Sequence, residues 1–362
     1  MQQSSAKKIL FTGGGSSGHV TPNLAIINYC QSQGWNASYI GSHQGIEKDI
    51  IGRTHLPYSA ITTAKLRRHF SWQNFIAPFK VLYGIHQAFW HCRRIKPNIV
   101  FSKGGFVAFP VVLGAWLNRI PVIAHESDLT PGLANRMSFP FAKFICVTFK
   151  ESVKYFKSQQ KIKVTGTPIR AELFQGDAKK GLALCHFNNE KPVLLIIGGG
   201  LGSDAINNGI RNILPQLLSQ YQIVHVCGKG KTNASFNDRI GYKQFDYLNE
   251  ELADVFACTD CVISRAGANT LYEILALKKP NVLIPLSKKA SRGDQIINAQ
   301  NFAEQGYSKV ITEESLKNSD ILLNTINDVF QQKNEIINKL NQFNIPDSVR
   351  LIYELIEKEA KN

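Results

Sequence analysis

No stretch of this 362-residue chain is apolar for long enough to cross a bilayer. The longest such run, residues 106–117, reaches about a dozen residues against the roughly 20 that a spanning helix requires. A secretory leader is not read at the N-terminus either, because Lys7 and Lys8 are followed only by Ile9, Leu10, Phe11 and Thr12 before glycines begin, so the expected compartment is the cytoplasm. Cysteine has no framework. Seven are scattered along the chain, an odd number suited to a reducing compartment, and Cys258-x-x-Cys261 lacks the second pair or histidine cluster that a zinc site needs. Structural thiols are expected there, with no metal and no cofactor anywhere in the chain.

Acidic residues are missing from one long region. Between Asp49 and Glu126 there is none, while Arg53, Lys65, Arg67, Arg68, Lys80, Arg93, Arg94, Lys96, Lys103 and Arg119 fall there. The net charge of +15 therefore lies entirely before residue 169, and the remainder is neutral. A one-sided field of this kind suits a polyanion or an anionic membrane surface. Residues 65–94 add an aromatic and aliphatic stripe to that charge. Lys65, Arg67 and Arg68 precede Phe70, Trp72, Phe75, Ile76, Phe79, Leu82 and Tyr83. An interfacial patch, with Trp116 as a further member, and a core helix with a solvated flank give the same pattern; the missing acids favour the membrane over both the core and nucleic acid.

Apolar runs bounded by turn residues recur at 9–11, 37–40, 99–101, 122–124 and 144–147, then at 193–197, 223–227, 261–263, 281–284 and 309–311, with helix-length segments between them. Alternation of strand and helix predicts an α/β protein made of two doubly wound, Rossmann-like domains with mostly parallel sheets. We expect them to span residues 1–168, completed by a C-terminal helix in 347–362, and 169–346, with Gly166-Thr167-Pro168 as the hinge. Ligands belong at the carboxyl ends of the strands, in a cleft between the domains.

Each half opens with a glycine-rich loop after an apolar run: Gly13-Gly14-Gly15-Ser16-Ser17-Gly18 and Gly198-Gly199-Gly200-Leu201-Gly202-Ser203. A strand, a glycine turn and a helix start expose backbone N–H groups to an anion. The first loop satisfies G-x-G-x-x-G, but after Ile40 comes Gly41-Ser42-His43-Gln44 with no acid for a ribose, and His19-Val20 replaces the Lys-Ser/Thr of a nucleotide P-loop. His19, at the mouth of a helix, is the first candidate for a general base; Glu126 and Asp128, just past the strand at 122–124, are the second. Residues 264–270 follow another strand, where amides suit a phosphate and Glu273 suits two ribose hydroxyls. Gln295 and Asn298 sit near a further helix start.

Taken together, Gly14 to His19, Lys103-Gly104-Gly105-Phe106, His125-Glu126-Ser127-Asp128 with Thr130 to Asn135, Gly166 to Arg170, Ser264 to Thr270 with Glu273, and Gln295 with Asn298 resemble the MurG family, in order over essentially the whole chain. These are peripheral membrane transferases that add N-acetylglucosamine to lipid I. The resemblance implies a GT-B fold and an inverting transfer from UDP-N-acetylglucosamine to the muramoyl 4-hydroxyl, giving lipid II. It places the enzyme on the cytoplasmic face of the membrane, with lipid I, an anionic membrane surface and cell-wall synthesis proteins as partners and no nucleic acid. By the family pattern Ser16, Ser17, Gly18, Asp128, Arg170, Gly200, Ala268, Asn269, Thr270, Leu271, Tyr272, Glu273, Gln295 and Asn298 contact the donor, and Gly104, Gly105 and Phe106 form the acceptor loop. Three positions depart: Gly200 stands for a common serine, Phe106 for a tyrosine and Asp128 for an asparagine. Another UDP-sugar lipid transferase, a UDP-sugar epimerase and a non-catalytic nucleotide-sugar binder remain alternatives.

Overall fold

The structure, a computed structural model, describes residues 6–64, 72–288 and 290–361. It divides into two compact units, Met1–Ile169 with Pro346–Asn362, and Arg170–Ile345.

The first unit is built on a seven-stranded parallel sheet: β1 (Lys8–Thr12), β2 (Asn36–Ser42), β3 (Tyr58–Ile61), β4 (Ile99–Ser102), β5 (Val122–Glu126), β6 (Phe144–Val147) and β7 (Ile162–Val164), in the order β3-β2-β1-β4-β5-β6-β7. Successive side chains of a strand point to opposite faces, and the sheet has a core on each. Ile9 and Phe11 of β1 join Ile99 and Phe101 of β4 on one face, packed on the helix Thr21–Ser32. Leu10 and Val100 face the other way, onto Val111, Val112 and Ala115 of the helix Ala108–Leu117. Burial on both faces explains why the central strands read as unbroken apolar runs. The helix Ser348–Glu359 returns to this unit, where Ile352, Tyr353 and Ile356 enter the first core and Tyr353 meets Tyr29 edge-on at 5.0 Å.

The second unit carries a six-stranded parallel sheet: β8 (Val193–Ile197), β9 (Gln222–Val226), β10 (Tyr242–Phe245), β11 (Cys261–Ser264), β12 (Asn281–Leu283) and β13 (Lys309–Val310), ordered β10-β9-β8-β11-β12-β13. Both sheets reverse direction of winding beside their first strand, between β1 and β4 and between β8 and β11. Ligands of doubly wound sheets bind at that switch point. The two glycine loops follow β1 and β8, and the turns that face them follow β4 and β11.

The Cys258-x-x-Cys261 pair forms no disulfide, and Cys261 opens the buried strand β11. The stripe on helix Trp72–Ile95 is not core. Ala77, Ala88 and Cys92 form its buried face, while Phe75, Ile76, Phe79, Leu82 and Tyr83 recur at helical spacing on the exposed one, Phe79 with 72% of its surface open. Trp116, at the end of helix Ala108–Leu117, is half exposed as well. Lys65, Arg67, Arg68 and Phe70 lie outside the described residues, as does the side chain of Trp72.

Candidate active site

In the first unit, the glycine loop after β1 folds against the turn after β4. The Gly14 amide donates to Gly104 O at 3.2 Å, and the Phe106 ring stands 2.5 Å from where a Cβ on Gly15 would be. Gly105 has φ +85, and a Cβ there would run into Gly14 O and approach His19 Cδ2. Only glycine tolerates both the left-handed backbone and that contact. His19 ends the short turn Ser17–His19, directly before the helix Thr21–Ser32, so its ring borders Gly105. Ser16 is exposed, and Ser17 and Gly18 are partly so.

Beneath the loop lies a residue that sequence reasoning missed. The fully buried Glu47 accepts the Gly15 amide at 3.1 Å through Oε2, and the Ser42 amide at 3.1 Å and the Ser42 hydroxyl through Oε1. An acid does therefore stand past the end of β2, a few residues later than a ribose-binding carboxylate would, and its oxygens serve the loop itself. The carboxylate also pushes up the phenols of Tyr39 and Tyr58, whose first cause of elevation is burial. Tyr39 donates to Gly13 O at 2.8 Å and its ring stacks on Tyr58. The one clue in the sequence was an acid, in the first turn of the short helix Ile46–Ile51, in a half that holds few.

At the end of β5 and on the loop after it stand three ionisable residues, His125, Glu126 and Asp128, with different partners. His125 is fully buried, with Nε2 at 2.9 Å from Gly166 O and Nδ1 at 2.8 Å from Lys103 Nζ, and burial together with Lys103 drives its pKa well below the ordinary range. Glu126 does not suit the role of base foreseen for it. It is buried, Oε1 accepts the Asp128 amide at 3.1 Å, and Oε2 accepts the Gly132 amide at 3.0 Å and Asn135 Nδ2 at 2.8 Å, so it stitches the 127–132 loop. Asp128, half-buried on that loop, remains beside His19 as the second candidate.

In the second unit, Ser203 Oγ accepts the Ile206 amide at the start of helix Asp204–Asn212. Arg265 donates to the same oxygen at 2.6 Å, to Ile284 O at 3.1 Å, and pairs with Glu313, which ties the glycine loop to the ends of β11 and β12. Gly200 and Leu201 project from the loop, Leu201 with 80% exposure. The helix Ala268–Ala276 begins at Gly267 without a side-chain cap, and its dipole places positive charge at that end. Asn269, Thr270 and Glu273 line its half-exposed face at helical spacing. Burial raises the Glu273 carboxyl to about 7, against the downward pull of Arg170.

Three residues of the expected donor site have buried side chains. Leu271 and Tyr272 lie on the opposite face of that helix, fully buried, and Tyr272 packs edge-on against Phe343. Asn298 is also fully buried and donates to Ala266 O at 3.2 Å, so it braces the turn after β11 from behind. Gln295 stays half-exposed, with Oε1 accepting the Leu286 amide at 3.0 Å.

The same arrangement occurs in known proteins. The glycosyltransferase family 28 N-terminal domain matches residues 9–147 and the glycosyltransferase family 28 C-terminal domain matches residues 193–352. A curated protein of Legionella pneumophila (strain Paris), named UDP-N-acetylglucosamine--N-acetylmuramyl-(pentapeptide) pyrophosphoryl-undecaprenol N-acetylglucosamine transferase, is 55% identical over 352 residues, covering 97% of each chain. Its namesake in Clostridium botulinum (strain Alaska E43 / Type E3) is 52% identical over 354 residues, with 98% of each covered. The crystal structure of Acinetobacter baumannii MurG aligns with a TM-score of 0.74 at 26% identity, over 97% of this chain and 99% of that one. With both halves matched in order and the fold shared throughout, the chain belongs to glycosyltransferase family 28 and to its MurG members.

Proposed function

We propose that this chain transfers N-acetylglucosamine from UDP-N-acetylglucosamine to lipid I, giving lipid II for peptidoglycan synthesis, as the names of its relatives describe. The observation that carries the reading is the full-length match to those transferases at more than half identity, with His19 and Glu273 each standing at a switch point of its sheet. The muramoyl 4-hydroxyl attacks the anomeric carbon of the sugar in one displacement. A new C–O bond forms on one face as the bond to the β-phosphate breaks on the other, the hydroxyl proton goes to His19, and UDP leaves with the electron pair. In the second unit, Glu273 accepts the ribose hydroxyls, while the amides at Ala268, Asn269 and Thr270 and the Arg170 guanidinium face the departing diphosphate. Ser16, Ser17, Gly18, Gly200 and Gln295 complete the donor contacts. In the first unit, Gly104, Gly105 and Phe106 receive the acceptor, with Asp128 beside them.

The exposed stripe is the part of the chain that meets the membrane. Phe75, Ile76, Phe79, Leu82 and Tyr83 stand exposed together along one helix with Lys80 among them, and Trp116 is exposed on the helix Ala108–Leu117. Aromatics of this kind enter the headgroup region and neighbouring cations meet anionic lipid, each for about 1 kcal/mol. The enzyme on this reading is peripheral, on the cytoplasmic face.

Two measurements test the proposal. Incubation with UDP-N-acetylglucosamine and a lipid I analogue should add one N-acetylhexosamine to the lipid and release UDP; conversion of the donor to its 2-epimer without transfer would replace the transferase by an epimerase. Phe75→Ser combined with Phe79→Ser should release the protein from anionic vesicles while leaving transfer to a soluble acceptor intact, and unchanged vesicle binding would refute the membrane role.

A further inference from the structure

Glu47 is fully buried, and the three groups that donate to it, the Gly15 amide, the Ser42 amide and the Ser42 hydroxyl, are all neutral. A carboxyl buried without a cation costs stability, and an apolar side chain of similar volume would fill the same space more favourably. The chain nevertheless leaves three positions without a side chain to seat it. A Cβ on Gly14 would stand 2.6 Å from Glu47 Cδ, one on Gly41 2.9 Å from its Cγ, and one on Gly45 would run into its Oε1. What this arrangement holds is the first glycine loop. Tyr39 of β2 donates to Gly13 O at 2.8 Å, the Gly14 amide donates to Gly104 O in the turn after β4 at 3.2 Å, and the Gly15 amide donates to Glu47 on the helix Ile46–Ile51 at 3.1 Å. Three consecutive residues are thus fixed from three different elements. The hold by Glu47 is the one nearest His19 in the chain: Ser16 follows Gly15 directly, and Ser16 O accepts the His19 amide at 3.1 Å.

We propose that Glu47 is a positioning residue for the transfer reaction that acts through His19: its carboxyl fixes the backbone of the first glycine loop at Gly15, and with it the place from which the His19 ring reaches the acceptor hydroxyl. This rests on the reading above, in which His19 takes the hydroxyl proton. A displacement of about 1 Å in a catalytic group can cost about 10²-fold in rate. A carboxamide at position 47, which turns an N–H₂ toward one of the two amides, is therefore felt in the chemical step as well as in folding.

The test is a double-substitution cycle on the full chain: wild type, Glu47→Gln, His19→Ala and both together, with transfer of labelled N-acetylglucosamine to a lipid I analogue as the readout and circular dichroism as the check on folding. E47Q is expected to lower kcat about ten- to hundredfold, with KM for the donor within about threefold of wild type, and to cost nothing further once His19 is gone, because groups that act as a unit are lost together. A role confined to stability lowers the active fraction equally in both backgrounds, so losses that multiply overturn the proposal. If E47Q fails to fold, Ser42→Ala, which removes one donor to Oε1, takes its place in the cycle. A loss in kcat that disappears in the His19→Ala background then supports the coupling, and an unchanged kcat or a loss that persists there overturns it. A wild-type protein without transfer, or a His19→Ala variant as active as wild type, sinks the functional reading itself, which is a different result from an active wild type whose losses multiply.

Discussion

The two glycine loops share a sequence design and occupy equivalent places in their sheets, yet their polar groups go to different partners. In the first, the Gly14 amide goes to Gly104 O, the Gly15 amide to Glu47 and the His19 amide to Ser16 O, so the loop is tied down from within. In the second, Gly199 and Gly200 reach outward, and the fixed points are Ser203 and the Arg265 clamp behind them. A glycine-rich turn is thus no evidence of a phosphate site until each N–H has been traced to its partner. The first loop is a rigid mount for His19; the second reaches outward beside a helix start that has no side-chain cap.

That contrast can be broken by substitution. His19→Ala should lower transfer by about 10²- to 10⁴-fold, the usual range for a positioned base, with little change in thermal stability. A residual rate within a few-fold of wild type would remove the first loop from the chemistry. Alanine at Gly105 should destabilise the protein by about 4 kcal/mol, since the new methyl meets Gly14 O in a left-handed backbone. Alanine at Gly199, also left-handed at φ +90 but with open space around it, should cost about 1 kcal/mol. Urea unfolding of the two variants measures the difference, and equal losses would mean the loops are packed alike. Glu47→Gln keeps one acceptor oxygen but turns an N–H₂ toward one of the two backbone donors, Gly15 or Ser42, and should cost about 2 kcal/mol, read in the same way.

The smallest effect concerns pH in the second unit. The Glu273 carboxyl sits at about 7, above an ordinary glutamate, and only its ionised form accepts from both ribose hydroxyls. UDP affinity should therefore rise as pH increases through 7, by at most about tenfold between pH 6 and 8 for a single proton. Calorimetric titration of wild type and of Glu273→Gln checks this; a slope that persists in the variant would assign the proton elsewhere, for example to the nucleotide.

The sheets were largely legible in the sequence, because strands buried on both faces must be continuous apolar runs. The strands that escaped, β3, β7 and β10, all lie at sheet edges, where burial is partial and Lys163, Lys243 and Gln244 interrupt the pattern. The places of His19 and Glu273 in the fold were legible for a related reason: each sits within a few residues of the glycine turn or strand that precedes it. Glu47 and Lys103 were not, since their partners are distant in sequence, Gly15 for one and His125 for the other. That the side chains of Leu271 and Tyr272 face inward was not legible in the motif read as a run, because a helix turns neighbouring residues to opposite faces. Exposure of the aromatic stripe could not be told from the sequence at all, as an amphipathic helix looks the same over a core and over a bilayer.

The chain's last helix, Ser348–Glu359, seats Ile352, Tyr353 and Ile356 in a bed formed by residues from the other end of the sequence, and Lys361 donates to Asn98 O just beyond it. The second unit is consequently an insertion, stitched into the first at both of its ends. As such a polypeptide leaves the ribosome, the earlier lobe keeps an oily groove uncovered until residues 348–359 have emerged, so it is completed only after the whole inserted unit has been made.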